Sequence, residues 1–128
     1  MGGTTADPVM RGKRKSTFAR GRAAERRVAW HYRLRGYRIL GRNVRAGGVE
    51  LDLIVRRGRR LVFCEVKLKQ GPGYGDPLEA VDERKRERLR RGVEAWLVAN
   101  PKLATLNVRF EIAAVRPGGV ELVPDLLY

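Results

Sequence analysis

The hydrophobic and polar positions along the chain begin with a helical pattern and then change to strand patterns. Apolar residues recur at helical spacing from about residue 18 to 35, and Gly36 provides a stop for this helix. Turns that contain glycine separate the runs that follow, as expected for hairpins. Three successive antiparallel strands are therefore predicted, at residues 37–44, 49–56 and 60–69.

A segment rich in glycine and proline, residues 70–77, interrupts the strand pattern. A second helix is predicted to begin at residue 78 or 82 and to end at Asn100-Pro101. The complete order is α-β-β-β-α-β-β, which indicates an α/β fold with a central mixed sheet and flanking helices. The last two strands are predicted at residues 107–115 and 120–123.

The length of 128 residues is typical of one compact domain. Residues 1–16 combine glycine, threonine, proline and a basic cluster with few apolar side chains. Because such a segment has little to bury, a flexible basic arm is expected there. Residues 17–128 are expected to form the single folded domain.

The charge balance is strongly basic. Lysine and arginine number 28 against 14 acidic residues, which gives a net charge of +14 and an isoelectric point near 11.1. A small domain with this excess attracts polyanions, and nucleic acid is the expected partner. Charge alone does not distinguish an enzyme from a module that only binds nucleic acid.

The cysteine content and hydropathy of the chain indicate where in the cell the protein is expected. Cys64 is the one cysteine, so a disulfide within the chain and a cysteine-rich zinc site are excluded. Cys64 is expected to be a buried, inert thiol, because it falls on the apolar face of the third strand. No apolar stretch approaches the roughly 18 residues of a spanning helix. We expect a cytoplasmic protein that does not bind membranes.

Alternation along the second strand places two acids together. Side chains of a strand point to opposite faces in turn, so Glu50 and Asp52 are expected to share one face. The opposite face is then apolar, and it is predicted to hold Val49, Leu51, Leu53 and Val55.

In the third strand the same alternation groups Glu65, Lys67 and Lys69 on one face. If the second and third strands pair across a hairpin at residues 57–60, Asp52 lies opposite Glu65. Neighbouring carboxylates repel each other unless a cation lies between them, so this pair is a candidate Mg²⁺ site. A lysine beside bound metal and phosphate would stabilise negative charge as it develops.

An alternative interpretation needs no metal. Exposed strand faces often alternate acids and bases as cross-strand salt bridges, and Glu65 with Lys67 fits that pattern. An isolated E-x-K tripeptide is short and common, so it does not identify a nuclease by itself.

The wider context resembles a nuclease superfamily. Asp52, then twelve residues, then Glu65 and Lys67, with a helix before and after, resembles the PD-(D/E)xK restriction-endonuclease-like superfamily. From about residue 21 to 115 the chain resembles, more narrowly, the YraN-like family of uncharacterised bacterial proteins (UPF0102-type), which is similar to archaeal Holliday-junction resolvases. The motifs that carry this resemblance are GRAAE, GYRILGRN, VELDLIV, LVFCEVK, YGDPLEAV and RFEIAAV.

The resemblance implies roles for five residues. Asp52 and Glu65 would be the main ligands of Mg²⁺ or Mn²⁺, and Glu25 on the first helix would be an additional acid at the metal. Lys67 would be the catalytic lysine, and Lys85 would add positive charge from the second helix. The chain departs from the family pattern at Ala24, Val49 and Glu111, and none of these departures removes a proposed ligand.

Four further residues are expected to contact nucleic acid: Lys69, Tyr74, Arg45 and Arg84. Trp30, Trp96 and Tyr37 are other aromatic residues able to stack on bases, but Trp96 belongs to the apolar stripe of the second helix. Tyr74, in the glycine-rich segment, is the predicted stacking residue.

The best function for this sequence is a Mg²⁺-dependent endonuclease, structure-selective in keeping with the resemblance, with DNA favoured over RNA. The alternative is a non-catalytic module that binds nucleic acid on the same fold. A homodimer would suit a branched substrate, and the sequence leaves the oligomeric state open.

Overall fold

The computed structural model describes the backbone of residues 8–68 and 83–125, and the side chains of residues 21–68 and 83–124. Within these ranges the predicted order α-β-β-β-α-β-β is confirmed. A short 3₁₀ turn, Pro101–Leu103, follows the second helix. The elements are α1 (Pro8–Leu34), β1 (Arg38–Ala46), β2 (Val49–Arg57), β3 (Arg60–Leu68), α2 (Glu83–Ala99), β4 (Asn107–Arg116) and β5 (Gly119–Asp125).

The five strands form one mixed sheet in the order β1-β2-β3-β4-β5. The first three strands are antiparallel neighbours, as predicted. β3 and β4 are parallel, and β4 pairs antiparallel with β5. Parallel neighbours need a long crossover connection, and the segment that contains α2 provides it. β3 is therefore the central strand of the sheet.

One helix covers each face of the sheet. Val28 and Tyr32 of α1 pack in a core cluster with Leu53 of β2. Leu89 and Val93 of α2 belong to a separate cluster on the other face. The result is a three-layer α/β/α arrangement, and neither helix, over the part that the structure describes, is long and apolar enough to cross a membrane.

The β1–β2 hairpin turns on Gly47 and Gly48, whose φ angles are 59° and 77°. Two consecutive residues with positive φ form the tight turn that suits the right-handed twist of antiparallel strands. Glycine adopts this backbone without the steric cost that a Cβ would bring. The hairpin predicted at this pair is confirmed.

Helix α1 begins at Pro8, whereas the apolar periodicity predicted a start near residue 18. Residues 8–16, expected in the flexible arm, therefore continue the helix, and residues 1–7 lie outside the described part of the chain. Lysine and arginine are good helix formers, and extending an existing helix avoids the cost of nucleation. Proline is well suited to the first turn. The domain boundary at residue 16 stays a prediction.

The expected alternation along β2 breaks at Asp52. Leu51 packs in the cluster on the α2 face, whereas Leu53 and Val55 pack on the α1 face, so the prediction that all three share one face is wrong. On β1, Asn43 stands opposite Asp52 in the register and has a φ of 51°. This left-handed residue interrupts the regular geometry that strict alternation requires.

Helix α2 ends at Ala99, immediately before Asn100-Pro101, as predicted. The starts predicted at residues 78 and 82 lie outside the described residues. Trp96 is half-buried and meets the ring of Phe63 edge-on, with ring centroids 5.5 Å apart, so its predicted place in the core is confirmed.

A glycine lets α2 lie close to the β1–β2 hairpin. A Cβ on Gly92 would stand 3.1 Å from the Cβ of Val49 and 3.2 Å from Cδ2 of Leu51. These distances are shorter than ordinary van der Waals contact, so a side chain here would push the helix from the sheet. This close approach sets the distance between α2 and the β1–β2 hairpin, and therefore the position of the other α2 side chains above the hairpin.

We therefore expect Gly92→Val to lower the free energy of unfolding by about 2 kcal/mol, because the added atoms overpack this contact. Urea unfolding monitored by circular dichroism measures the change. Glu87→Val, at an exposed position of the same helix, places a β-branched residue where nothing crowds it and should cost a few tenths of a kcal/mol. Equal losses in the two variants would contradict the steric explanation.

Candidate functional site

The candidate site lies where β2 and β3 stop pairing. Their described register runs from Arg57 opposite Arg60 to Leu53 opposite Cys64, so Asp52 and Glu65 are the next positions on the two strands. The backbone N–H of Val66 donates to Oδ2 of Asp52 at 2.9 Å. At this point the Asp52 side chain takes the place of a main-chain hydrogen bond between the strands, and this bond holds the Asp52 carboxyl beside β3.

A cavity of about 250 Å³ opens between this end of the hairpin and helix α2. Both its sheet side and its helix side combine charged and apolar residues. Three of the predicted site residues, Asp52, Glu65 and Lys85, meet here. The full lining is Gly48, Val49, Glu50, Asp52, Glu65, Lys85, Arg88 and Leu89.

Glu65 is the buried acid of the cavity, with 8% of its surface exposed. Nζ of Lys85 lies 2.9 Å from Oε2 of Glu65, and Nζ of Lys67 lies 3.5 Å from the same oxygen. Burying a carboxylate is costly unless charged partners compensate it. The two lysines, one from β3 and one from α2, provide this compensation.

Asp52 is held in an unfavourable environment for a negative charge. Burial, followed by repulsion from Glu65, raises its pKa to about 7, although the Val66 hydrogen bond acts in the opposite direction. Near neutral pH the metal-free protein therefore holds Asp52 protonated for much of the time. A cation between the two carboxylates would remove the repulsion.

The two lysines differ in proton affinity. Burial, and then contact with the second ammonium, lowers the pKa of Lys67 below its usual range. For Lys85, burial also acts to lower the pKa, but contacts with Lys67 and Glu65 outweigh it and raise the pKa.

Glu25 does not line this cavity. Its Oε1 accepts a hydrogen bond of 3.3 Å from Nδ2 of Asn43 on β1. Glu25 is nevertheless close enough to Asp52 to contribute to the rise in the pKa of that group. A ligand role for Glu25 stays a prediction.

The carboxylates of Asp52 and Glu65 suit a hard divalent cation that binds few protein ligands. Among the described residues, no three histidine, cysteine, aspartate or glutamate side chains group closely enough to hold a metal ion. Mg²⁺ keeps several waters and commonly binds through one or two carboxylates together with substrate phosphates. Asp52 and Glu65 are the residues that would hold it.

Other predicted residues are placed differently. Arg45 on β1 and Arg84 on α2 are exposed and do not line the cavity. Lys69 and Tyr74 lie outside the described residues. Cys64 is buried in the α1-side core, and burial raises the pKa of its thiol, so the prediction of an inert cysteine is confirmed.

Arg88 is a cavity residue that the sequence interpretation missed. It follows Lys85 by three positions on α2, and residues three apart lie on the same helix face. This spacing was a usable signal. Glu50, grouped with Asp52 by strand alternation, also lines the cavity.

Comparison with known proteins places the chain in a family. Residues 24–115 match the family described as "Uncharacterised protein family UPF0102". A UPF0102 protein of Methylobacterium nodulans is 39% identical over 113 residues, covering 88% of this chain and 85% of the relative. One from Azorhizobium caulinodans is 40% identical, covering 90% and 87%. One from Frankia casuarinae is 45% identical, covering 76% and 81%. The chain belongs to the UPF0102 family.

Proposed function

We propose that the protein is a metal-dependent nuclease that hydrolyses phosphodiester bonds in DNA. The observation that carries this proposal is the placement of Asp52 and Glu65 in one open cavity, where Lys85 also lies and where the Lys85 and Lys67 ammonium groups are 2.9 Å and 3.5 Å from Glu65. Burial and the neighbouring carboxylate raise the pKa of Asp52 there. The surrounding chain has a net charge of +14, which favours approach of a polyanion. Perturbed carboxylates in a cleft are typical of functional sites.

Each residue then has a distinct task. Asp52 and Glu65 would hold Mg²⁺ or Mn²⁺, and an ion of this kind would supply Lewis acidity and an activated water. Lys67, whose Nζ lies 3.5 Å from Glu65, would contact the phosphate and stabilise negative charge as it develops. Arg88 lies at the helix side of the cavity and orients the phosphate backbone.

The second candidate is a non-catalytic nucleic-acid-binding module. It is favoured by one observation: Lys85 and Lys67 already neutralise Glu65 without a metal ion. In that case the acids would serve folding alone. The two candidates differ in whether a divalent ion binds at Asp52 and Glu65.

We expect Asp52→Asn, Glu65→Gln and Lys67→Met each to reduce metal-dependent cleavage by at least 100-fold, because each removes a group that acts on the metal or on the phosphate. The assay uses linear, single-stranded, flapped and four-way DNA and RNA with Mg²⁺, Mn²⁺ or EDTA. Glu87→Gln and Lys102→Met, at exposed positions outside the cavity, are matched controls and should keep full activity.

Calorimetry with Mn²⁺ separates the two candidate functions. The wild type should bind the ion and Asp52→Asn should not, whereas Lys67→Met should retain binding. A wild type that neither cleaves any substrate of the panel nor binds Mn²⁺ would contradict the nuclease, and DNA binding by the same protein would then support the binding module.

The pH dependence of stability tests the environment of Asp52. Its folded pKa of about 7 lies above the value near 3.9 of an unfolded chain, so folding favours the protonated form. The wild-type free energy of unfolding should therefore fall as pH rises from about 4 to about 7 and then level off. Asp52→Asn cannot ionise, so in EDTA it should exceed the wild type by about 2 kcal/mol at pH 8 and by much less at pH 4.

Urea unfolding across this pH range measures the difference. Glu87→Gln removes an exposed carboxylate from α2 and should show no such trend. A constant difference between Asp52→Asn and the wild type at every pH would contradict the assigned environment.

Lys85 is expected to compete with a metal ion for Glu65. Its ammonium lies 2.9 Å from Oε2, where it both satisfies the carboxylate and repels a second cation. Lys85→Met should therefore tighten Mn²⁺ binding by about tenfold, measured by calorimetry. Arg84→Met makes the same charge change at the adjacent, exposed position and should alter affinity less than threefold. Weaker binding in Lys85→Met would show that Lys85 does not oppose the metal.

A further inference from the structure

We propose that a second cavity, between α1 and β1, binds the phosphate backbone of a single-stranded nucleic acid, and that Trp30 beside it stacks on an unpaired base. The inference rests on the proposed function, because it takes nucleic acid as the substrate and defines which part of it is held. The cavity measures about 370 Å³, and its lining is Arg22, Glu25, Arg26, Arg42 and Asn43.

The lining is suited to phosphate. Three of its five residues are arginines, whose planar guanidinium groups match the geometry of phosphate oxygens. The single acid, Glu25, already accepts a hydrogen bond from Asn43, which holds this carboxylate toward β1. The cavity therefore keeps an excess of two positive charges after Glu25 is counted, and it favours an anionic ligand.

The position of the cavity links it to Asp52. Asn43 forms part of its wall and stands opposite Asp52 in the β1–β2 register. The arginine cavity is thus on the α1 side of the sheet, one β-strand away from Asp52, whereas the cavity that holds the carboxylate pair opens on the α2 side.

Trp30 extends this surface along α1. It follows Arg26 by four positions, as Arg26 follows Arg22, so the three residues form one stripe on the helix. Its side chain is 58% exposed, and the Arg33 guanidinium lies 5.7 Å from the ring centroid. An exposed indole flanked by arginines is a platform on which an unpaired base can stack.

Trp30 lies about one helical turn from Arg26, roughly 6 Å along the axis of α1. A base on the indole and a phosphate on the arginines can therefore belong to one short stretch of nucleic acid. Double-stranded DNA keeps its bases paired and stacked inside the helix, so its bases are not available to Trp30. The surface therefore selects an unpaired segment, such as the single-stranded arm of a flapped substrate.

Binding measurements in EDTA test the proposal without any cleavage. A fluorescein-labelled oligonucleotide of twelve deoxythymidines reports affinity by anisotropy, and inorganic polyphosphate competes with it as an anion without bases. Arg22→Ala/Arg26→Ala should weaken both ligands at least tenfold. Lys102→Ala/Arg109→Ala removes the same charge from exposed positions outside this cavity and should weaken either ligand less than threefold.

Trp30→Ala separates stacking from charge. It should weaken the oligonucleotide about tenfold and polyphosphate less than twofold, because the indole contacts the base alone. In the Trp96→Phe variant, Trp30 is the remaining tryptophan, and its fluorescence should be quenched by the oligonucleotide and little changed by a duplex of equal length.

Two results would overturn the proposal. One is equal loss of affinity in the cavity and control double variants, and the other is unchanged Trp30 fluorescence at saturating oligonucleotide. If sedimentation instead shows a dimer that Trp30→Ala dissociates while oligonucleotide affinity stays constant, Trp30 serves self-association. All of these measurements are made with Asp52→Asn protein and without metal, so their failure leaves the nuclease proposal intact, and absence of cleavage leaves this surface intact.

Discussion

The structure of the site depends on the burial of one charge, the Glu65 carboxylate on the central strand. Its position, 8% exposed, would be strongly unfavourable without the ammonium groups of Lys67 and Lys85. One of these comes from the same strand and the other from the helix on the far side of the cavity. The two ion pairs of Glu65 therefore couple the sheet to α2.

Because of this coupling, the packing of α2 sets the position of the basic residues above the two carboxylates. Gly92 lets the helix approach Val49 and Leu51, and the same helix carries Lys85 and Arg88 over the carboxylates. Lys67 and Lys85 stabilise the Glu65 carboxylate, whereas the pKa of Asp52 is raised. A divalent ion would change this balance by neutralising both acids at once.

The sequence predicted the parts of the fold and site that depend on local patterns. Strand periodicity and hairpin glycines predicted the bounds of β1, β2 and β3 almost to the residue. The register expected for the hairpin placed Asp52 beside Glu65. The break in alternation at Asp52 was not predictable, because it depends on Asn43 in the neighbouring strand. The sequence named Trp30 among the aromatic residues able to stack on bases but favoured Tyr74, because a helical pattern does not say how far an aromatic side chain is exposed.

Strand β1 lies at the edge of the sheet, where unpaired main-chain groups can recruit a strand from another molecule. Arg38, Arg42 and Arg45 are exposed along this edge. A second copy that added its own β1 edge would bring arginines against arginines, so the basic side chains oppose edge-to-edge aggregation. Resistance to such aggregation is thus a consequence of the basic side chains along β1.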